Sequence, residues 1–271
     1  MTELPRMGIV GVSGRMGQVL MSLVERSDRM VLGGVTEHSG HAWIGQGLAE
    51  VTASSTAGLA VSDDPRNAFA DVDAIVDFSA PRATVANAEV ASELQCVHVI
   101  GTTGLSESDL DRISRCARKT AIVRAGNMSL GVNLLVGLAE QVARALDSDF
   151  DIEVVEAHHR YKVDAPSGTA LMLGEAAAAG RGVDLSDVED RGRDGLTGAR
   201  RRGAIGFSAI RGGTVVGEHD ISFSGDGERL ILRHVAYDRE IYGNGALKAA
   251  LWALGKPPGE YTMRDVLGIS A

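Results

Sequence analysis

Cysteine is nearly missing from this chain: Cys96 and Cys116 are the only two in 271 residues, and they lack C-x-x-C spacing. That argues against a disulfide framework and against a cysteine-based zinc site, so no metal is expected. Aromatic residues make up only 4%, which is too few for a surface that holds nucleic acid by base stacking. Positive charge is short as well, since 27 Lys and Arg against 36 Asp and Glu leave a formal net charge of −9. A broad electrostatic footprint for nucleic acid is therefore not expected, and an anionic ligand must be met by a local cationic cluster. No apolar run approaches the ~20 residues that span a bilayer. The opening MTELPRMGIVGV lacks the basic region and long apolar core of a secretory signal. The expectation is a cytoplasmic protein with neither membrane nor nucleic-acid partners.

Glycine, in contrast, is abundant at 34 residues, in a chain that is 44% apolar and 23% charged. That balance suits an α/β enzyme with many tight loops. The length allows one large or two ordinary domains. Short apolar runs alternate with amphipathic stretches over the first ~130 residues, the spacing of βαβ units. Strands are predicted at Met7 to Val10, Met30 to Val35, Ala74 to Phe78, Cys96 to Ile100 and Ala121 to Val123. Between them lie a loop from Gly11 to Gly17, a helix bearing Val19, Leu20, Leu23 and Val24, and a helix from Thr84 to Leu94. Ser106 and Asp109 have capping-box spacing ahead of Leu110, Ile113 and Ala117. Strands separated by helices connect in parallel, which favours a doubly wound sheet.

The texture changes from Asp151. Ile152 to Val155 reads as a strand, Thr169 to Ala179 as a helix, and Ala204 to Ile210, Val215 to Phe223 and Arg229 to Val235 as longer strands joined by Gly-rich turns. Tyr242 to Leu254 reads helical again and is expected to pack back on the first part. The fold class is thus α/β: a Rossmann-like doubly wound parallel sheet plus a second α+β domain with an open mixed sheet. The expected domains are 1–129 with 241–271 for a dinucleotide, and 130–240 for substrate and oligomerisation.

The cofactor expectation rests on the loop Gly11-Val12-Ser13-Gly14-Arg15-Met16-Gly17 between a strand and a helix. Glycines there permit a tight turn and let the backbone approach a pyrophosphate, whose charge suits a helix N-terminus. The second strand ends at Thr36-Glu37-His38, where an acid would take the ribose hydroxyls. Ser79 to Pro81, Gly101-Thr102-Thr103-Gly104 and Ala125-Gly126-Asn127-Met128 follow further parallel strands, at the sheet edge where such folds bind ligands. NADH or NADPH is the expected cofactor. Glu37 favours free hydroxyls, whereas His38 and Arg15 could meet a 2′-phosphate.

The chemistry gathers in EAHHRYKVDAPSGTA, residues 156 to 170. His158, His159 and Lys162 are side chains that move protons near neutral pH. Adjacent strand residues point to opposite faces, so His158 and His159 should differ in role unless the strand ends at Ala157. Ser167 is a natural N-cap, and Gly168 and Thr169 would open a helix whose backbone N–H groups suit a carboxylate.

That stretch closely resembles the signature of the 4-hydroxy-tetrahydrodipicolinate reductase (dihydrodipicolinate reductase) family of lysine and diaminopimelate biosynthesis. The resemblance continues through GVSGRMG, IVDFSAP, VIGTTG, AGNMSLGVN, RRRGAIGFSAIRGGTVVGEHDISF and NGALKAALW. It implies nicotinamide-dependent reduction of a small cyclic dicarboxylate by a homotetramer. By resemblance His158 is the catalytic histidine and Lys162 the proton donor, and His159, Gly168 and Thr169 match substrate-binding positions. Gly11 to Met16, Glu37, Gly101 to Thr103 and Ala125 to Met128 match cofactor-binding positions. Some relatives that accept NADPH carry arginine where this chain has His38. The alternatives are another imine or amino-acid dehydrogenase on the same scaffold, and a non-catalytic dinucleotide sensor. Arg191 to Arg202 reads as a solvated, mobile loop, His219 as a strand-edge or interface residue, and His41, His98 and His234 as structural.

Overall fold

The computed structural model describes residues 3–56 and 58–269. The chain forms two compact units, one from the residues up to Ser129 with Arg239–Gly268, the other from Leu130–Asp238 with the segment from Ile269. In chain order the strands are β1 (Arg6–Val10), β2 (Val31–Thr36), β3 (Ala74–Asp77), β4 (Val97–Ile100), β5 (Ala121–Arg124), β6 (Asp151–His158), β7 (Glu189–Asp190), β8 (Ile205–Arg211), β9 (Gly217–Ser224), β10 (Arg229–Ala236) and β11 (Gly259–Tyr261).

In the first unit six strands form one sheet in the order β11-β5-β4-β3-β1-β2, all parallel. Its central strands are short and buried along nearly their whole length, as parallel strands covered on both faces must be. The order reverses between β1 and β3, which puts the loops after β1 to β5 at one carboxyl edge around a topological switch point. The helix Glu240–Ala253 packs on the helix Arg15–Glu25. Gly243 permits that approach, because a Cβ there would lie 2.6 Å from Leu23 and 3.2 Å from Val19.

The second unit is a mixed sheet, β10-β9-β6-β8-β7, antiparallel across β10, β9 and β6 and parallel from β6 to β7. The helices Leu130–Ala145 and Gly168–Gly180 cover one face, over Ile152, Val154, Phe207, Ile221 and Phe223. Strand β6 alternates half-buried and buried residues without a break, the period-2 pattern of a strand with one covered face.

Several boundaries differ from the sequence reading. The glycine loop ends at Gly14, and Gly17 lies inside the helix Arg15–Glu25. The helix predicted from Thr84 begins at Pro81, where proline's fixed φ suits the first helical position. The helix Leu130–Ala145 has no counterpart in that reading, which took AGNMSLGVN only as a strand-end loop. Strand β6 runs on to His158 instead of stopping at Val155. Arg191 to Arg202 is exposed at every residue but Arg200, as read, yet it is tied to the sheet. Arg200 donates to Asp151 at 2.7 Å, Glu153 at 2.9 Å and the carbonyls of Ile152 and Ala204, while Arg193 reaches Glu153 at 2.6 Å. These cations answer the carboxylates at the start of β6, so the basic run is a clasp on the sheet. No helix among the described residues is long and apolar enough to cross a membrane.

Candidate active site

At the carboxyl edge of the first unit, β1 turns through Gly11, whose φ of 68° is in the left-handed region that favours glycine. A Cβ at Gly17 would fall 2.2 Å from the Gly11 carbonyl oxygen, so the helix can start this close to the strand only with glycine there. The helix N-cap, Gly14, makes no side-chain cap, and the first turn holds no acid. Its leading N–H groups have no acceptor within the helix, the usual setting for a bound anion. Ser13 donates to Glu37 Oε1 from its amide at 2.8 Å and its hydroxyl at 2.6 Å. Burial alone would raise the Glu37 carboxyl, but the bonds from Ser13 and the His38 amide hold it below its ordinary value.

His41, taken above as structural, stands with this acid. Ligating atoms of Glu37, His38 and His41 lie within 4.8 Å of one another. The Trp43 amide donates to His41 Nδ1 at 3.2 Å. In the neutral ring that leaves the hydrogen on Nε2, making His41 a donor at this edge.

The neighbouring loops are fixed by a buried carboxylate that the sequence reading missed. Asp77, at the end of β3, accepts from the Ser79 amide at 2.8 Å, the Ser79 hydroxyl at 2.6 Å and Asn87 at 3.1 Å. Burial would raise this carboxyl, yet the adjacent His98 imidazole and the Ser79 bonds keep it below the usual carboxylate range. Thr84 donates to the Thr102 hydroxyl at 2.8 Å, tying the loop after β4 to the same group. Gly101 lies on the Phe78 ring, and a Cβ there would come within 2.3 Å of it. Asn127 accepts from the Ser129 amide at 2.8 Å, and Met128 is buried. The one signal in DFSAP was an acid two residues before a serine at a strand end, the pattern of an Asx turn.

In the second unit the covered sheet face changes character along its length. Ile152 faces Phe223 and Val154 faces Ile221, and then Glu156 faces His219, with His158 two residues further on. An apolar stripe therefore ends in three polar groups, and Glu156 and His158 share a face because they are two apart on a strand. Glu156 is 1% exposed, His158 9% and His219 4%. Buried charge must be paired, and Arg211 meets both Glu156 oxygens, at 2.6 and 2.7 Å.

His158 Nδ1 lies 2.6 Å from Glu156 Oε2. The carboxylate can only accept, so Nδ1 carries the hydrogen and Nε2 of the neutral ring presents a lone pair. Burial pushes the His158 imidazole down; Glu156 pulls it back, and Lys162 and Arg211 oppose that, leaving it below the usual histidine value. Burial would raise Glu156, but Arg211 and His158 outweigh it and keep the carboxylate ionised. Gly217 leaves the space beside His158 Nε2 unfilled, since a Cβ would stand 3.1 Å from that atom.

Lys162 is 2.9 Å from Asp164 in the turn after β6, and its side chain is 21% exposed. His159 lies past the strand end and shares none of the His158 contacts; its ring is 6.4 Å from that of Tyr161. The strand thus settles the alternative left open by the sequence, and the two histidines do not converge as a loop pair.

Ser167 is the N-cap that the sequence predicts, its side chain accepting from the Ala170 amide. It is 2% exposed and its polar groups are committed within the protein. Its amide donates to Glu156 at 3.1 Å, while its hydroxyl oxygen accepts from Ala170 at 3.2 Å and lies 2.9 Å from His219 Nε2. Ser167 is therefore a buried N-cap, and any anion at this helix start must meet the next residues. Gly168 faces open ground, where an added Cβ would touch nothing within 4 Å. His219 is not at a strand edge, because β9 is paired on both sides.

Two family models cover the chain: "Dihydrodipicolinate reductase, N-terminus" over residues 5–128 and "Dihydrodipicolinate reductase, C-terminus" over residues 131–267. A 4-hydroxy-tetrahydrodipicolinate reductase of Dinoroseobacter shibae is 61% identical over 99% of this chain and 100% of its own length. One of Rhizobium rhizogenes is 51% identical over 97% and 96%. Among solved structures, a dipicolinate-bound dihydrodipicolinate reductase from Paenisporosarcina sp. TG-14 superposes with a TM-score of 0.77 at 24% identity, covering 96% of this chain and 98% of that one. An amine dehydrogenase from Mycobacterium smegmatis gives 0.60 at 14% identity, covering 96% and 95%, and shares the fold alone. With both halves matched and relatives more than half identical across nearly the whole length, the chain belongs to the dihydrodipicolinate reductase family.

Proposed function

We propose that this chain reduces 4-hydroxy-tetrahydrodipicolinate to tetrahydrodipicolinate with NADH or NADPH, a step of lysine and diaminopimelate biosynthesis. The observation that carries the reading is its near-full-length identity to reductases of that name. The residues up to 129 with 241–271 would hold the dinucleotide, and residues 130–240 the substrate and the subunit contacts.

The first unit fits a dinucleotide on its own geometry. Only glycine at position 17 lets the helix start approach the strand, and Glu37 Oε2 accepts a single 3.1 Å bond, from His38, which leaves it capacity for a ribose hydroxyl. Gly11, Val12, Ser13, Gly14, Arg15 and Met16 would hold the pyrophosphate, Glu37 and His38 the adenosine ribose, and Gly101 to Thr103 with Ala125 to Met128 the nicotinamide half. When bound, the dinucleotide supplies a hydride.

The remaining chemistry belongs to this chain. Loss of water turns the substrate into a conjugated imine, and hydride addition at C4 of the ring pushes electrons toward the ring nitrogen. Lys162, oriented by Asp164, gives a proton to the neighbouring carbon and recharges from solvent. The ring nitrogen, protonated from solvent before hydride arrives, donates a hydrogen bond to His158 Nε2, held in that orientation by Glu156 and Arg211, and returns that proton to solvent once the carbon is protonated. The amides of Gly168 and Thr169 and the His159 ring hold a carboxylate. A homotetramer is part of the proposal, since Ile210 and Ile231 are more than half and half exposed on the second unit's sheet and need cover.

The test is oxidation of NADH and of NADPH with freshly generated 4-hydroxy-tetrahydrodipicolinate, with mass read by light scattering. Turnover supports the reading. Tight dinucleotide binding without turnover would support the sensor, and faster turnover of another cyclic imine would support the alternative dehydrogenase.

A further inference from the structure

We propose that His219 is a positioning residue of this reduction, holding the Ser167 hydroxyl and thereby fixing the start of the helix Gly168–Gly180 to the Glu156–His158 pair. The inference rests on the reading of His158 and of that helix start as the substrate site.

A serine hydroxyl has one hydrogen to give. Ser167 Oγ accepts from the Ala170 amide at 3.2 Å and lies 2.9 Å from His219 Nε2, where its hydrogen or its second lone pair completes a hydrogen bond with the ring. His219 Nδ1 is buried and has no hydrogen-bond partner among the described residues. An orphaned buried ring nitrogen, donor or acceptor, is destabilising, so this histidine occupies its place against the interest of stability alone. What it provides is a chain of contacts. The Ser167 amide is bonded to Glu156, the Glu156 carboxylate to His158, and the His219 ring meets the His158 ring edge-on at 5.0 Å.

The groups that face His219 define the form it must keep. Glu156 and His158 come from β6, Lys162 from the turn after it, and His234 from the opposite position on β10. A protonated His219 would set a cation against His158. Burial instead pushes its imidazole down to about 4, with His158 adding to the effect. A leucine at 219 would remove the ring's hydrogen bond to Ser167, freeing the serine hydroxyl to rotate and loosening the cap that aims the Gly168 and Thr169 amides.

The variants to compare are His219→Leu, His219→Gln, Ser167→Ala and the double variant His219→Leu/Ser167→Ala. Glutamine places an oxygen acceptor at the reach of Nε2. The probe is dipicolinate, a flat pyridine dicarboxylate, titrated into the full-length protein alongside NADH. His219→Leu is expected to weaken dipicolinate about tenfold, with NADH affinity unchanged. His219→Gln should recover to within about threefold. Ser167→Ala should match the leucine variant, and the double variant should be no worse than either single, because they remove one interaction. Wild-type affinity in His219→Leu, or additive losses in the double variant, would overturn the proposal. If the leucine variant does not fold, equal dipicolinate affinity in His219→Gln and a tenfold loss in Ser167→Ala still support it, and no loss in Ser167→Ala overturns it. If the unaltered protein neither binds dipicolinate nor turns over substrate, the functional reading fails instead, a separate outcome.

Discussion

Lys162 and His158 sit close enough for the lysine's charge to press on the imidazole, yet they have different partners, Asp164 for one and Glu156 for the other. If the lysine is the proton donor, Lys162→Ala lowers kcat by about 10²- to 10⁴-fold, the range of general acid catalysis, and leaves the Kd for NADH unchanged. Single-turnover and binding measurements separate these, and near-normal turnover would sink the assignment. A second residue-scale prediction concerns cofactor choice. His41 presents a ring N–H beside Glu37 and His38, and a 2′-phosphate is a strong acceptor for such a donor. His41→Ala should therefore weaken NADPH about tenfold while sparing NADH, which calorimetric titration of each dinucleotide would check. Equal effects on both would show that the ring only packs. His38 was legible from its place after the strand acid. His41 was not, because only the folded loop brings it back to Glu37.

At the scale of an element, two glycines in the first turns of helices stand in opposite surroundings. Gly17→Ala puts a Cβ 2.2 Å from a backbone oxygen, and backbone gives way less easily than a side chain. The expected loss is about 1–3 kcal/mol of stability, with weaker NADH binding, measured by urea denaturation and titration. Gly168→Ala meets open space, so its unfolding should match the unaltered protein. Any loss of dipicolinate affinity in that variant then reports the ligand's approach. Wild-type stability in Gly17→Ala would contradict the close contact. Most helices and strands could be read from periodicity and caps, as Ser106 with Asp109 shows. The helix Leu130–Ala145 was not, because its apolar residues are spread over both faces, with Val132, Leu135, Ala139 and Ala143 buried but Leu134 and Leu138 exposed.

For the molecule as a whole, buried histidines make stability depend on acid. His219 is pushed down to about 4 by burial, whereas an unfolded chain's histidine titrates near 6.5. Between those values the unfolded chain binds a proton that the native state refuses, so stability is full above about pH 6.5 and declines as pH falls toward 4. The loss from this residue is about 3 kcal/mol when complete, and the lowered His158 acts in the same direction. Glu156, held ionised, adds a further loss at lower pH as it protonates. Urea midpoints of the second unit's transition at pH 7 and pH 4.5 should show the fall, and His219→Leu should flatten it. An unchanged slope in that variant would assign the acid sensitivity elsewhere.

What the sequence determined by itself was local and repetitive: the alternation of strands and helices, the glycine loop, the caps, and the cations and imidazoles of residues 156 to 170. These follow from propensity, side-chain period and backbone freedom, which act over a few residues. Only the tertiary structure decided that Glu156, Arg211, Ser167 and His219 form one bonded group, that Ser167 is a buried cap, and that Asp77 fixes the loops beside it. The bonded partners in that group are 11 to 55 residues apart along the chain. Their pairing comes from strand register and from the cost of leaving a buried charge unpaired, and both take effect only once the sheet closes.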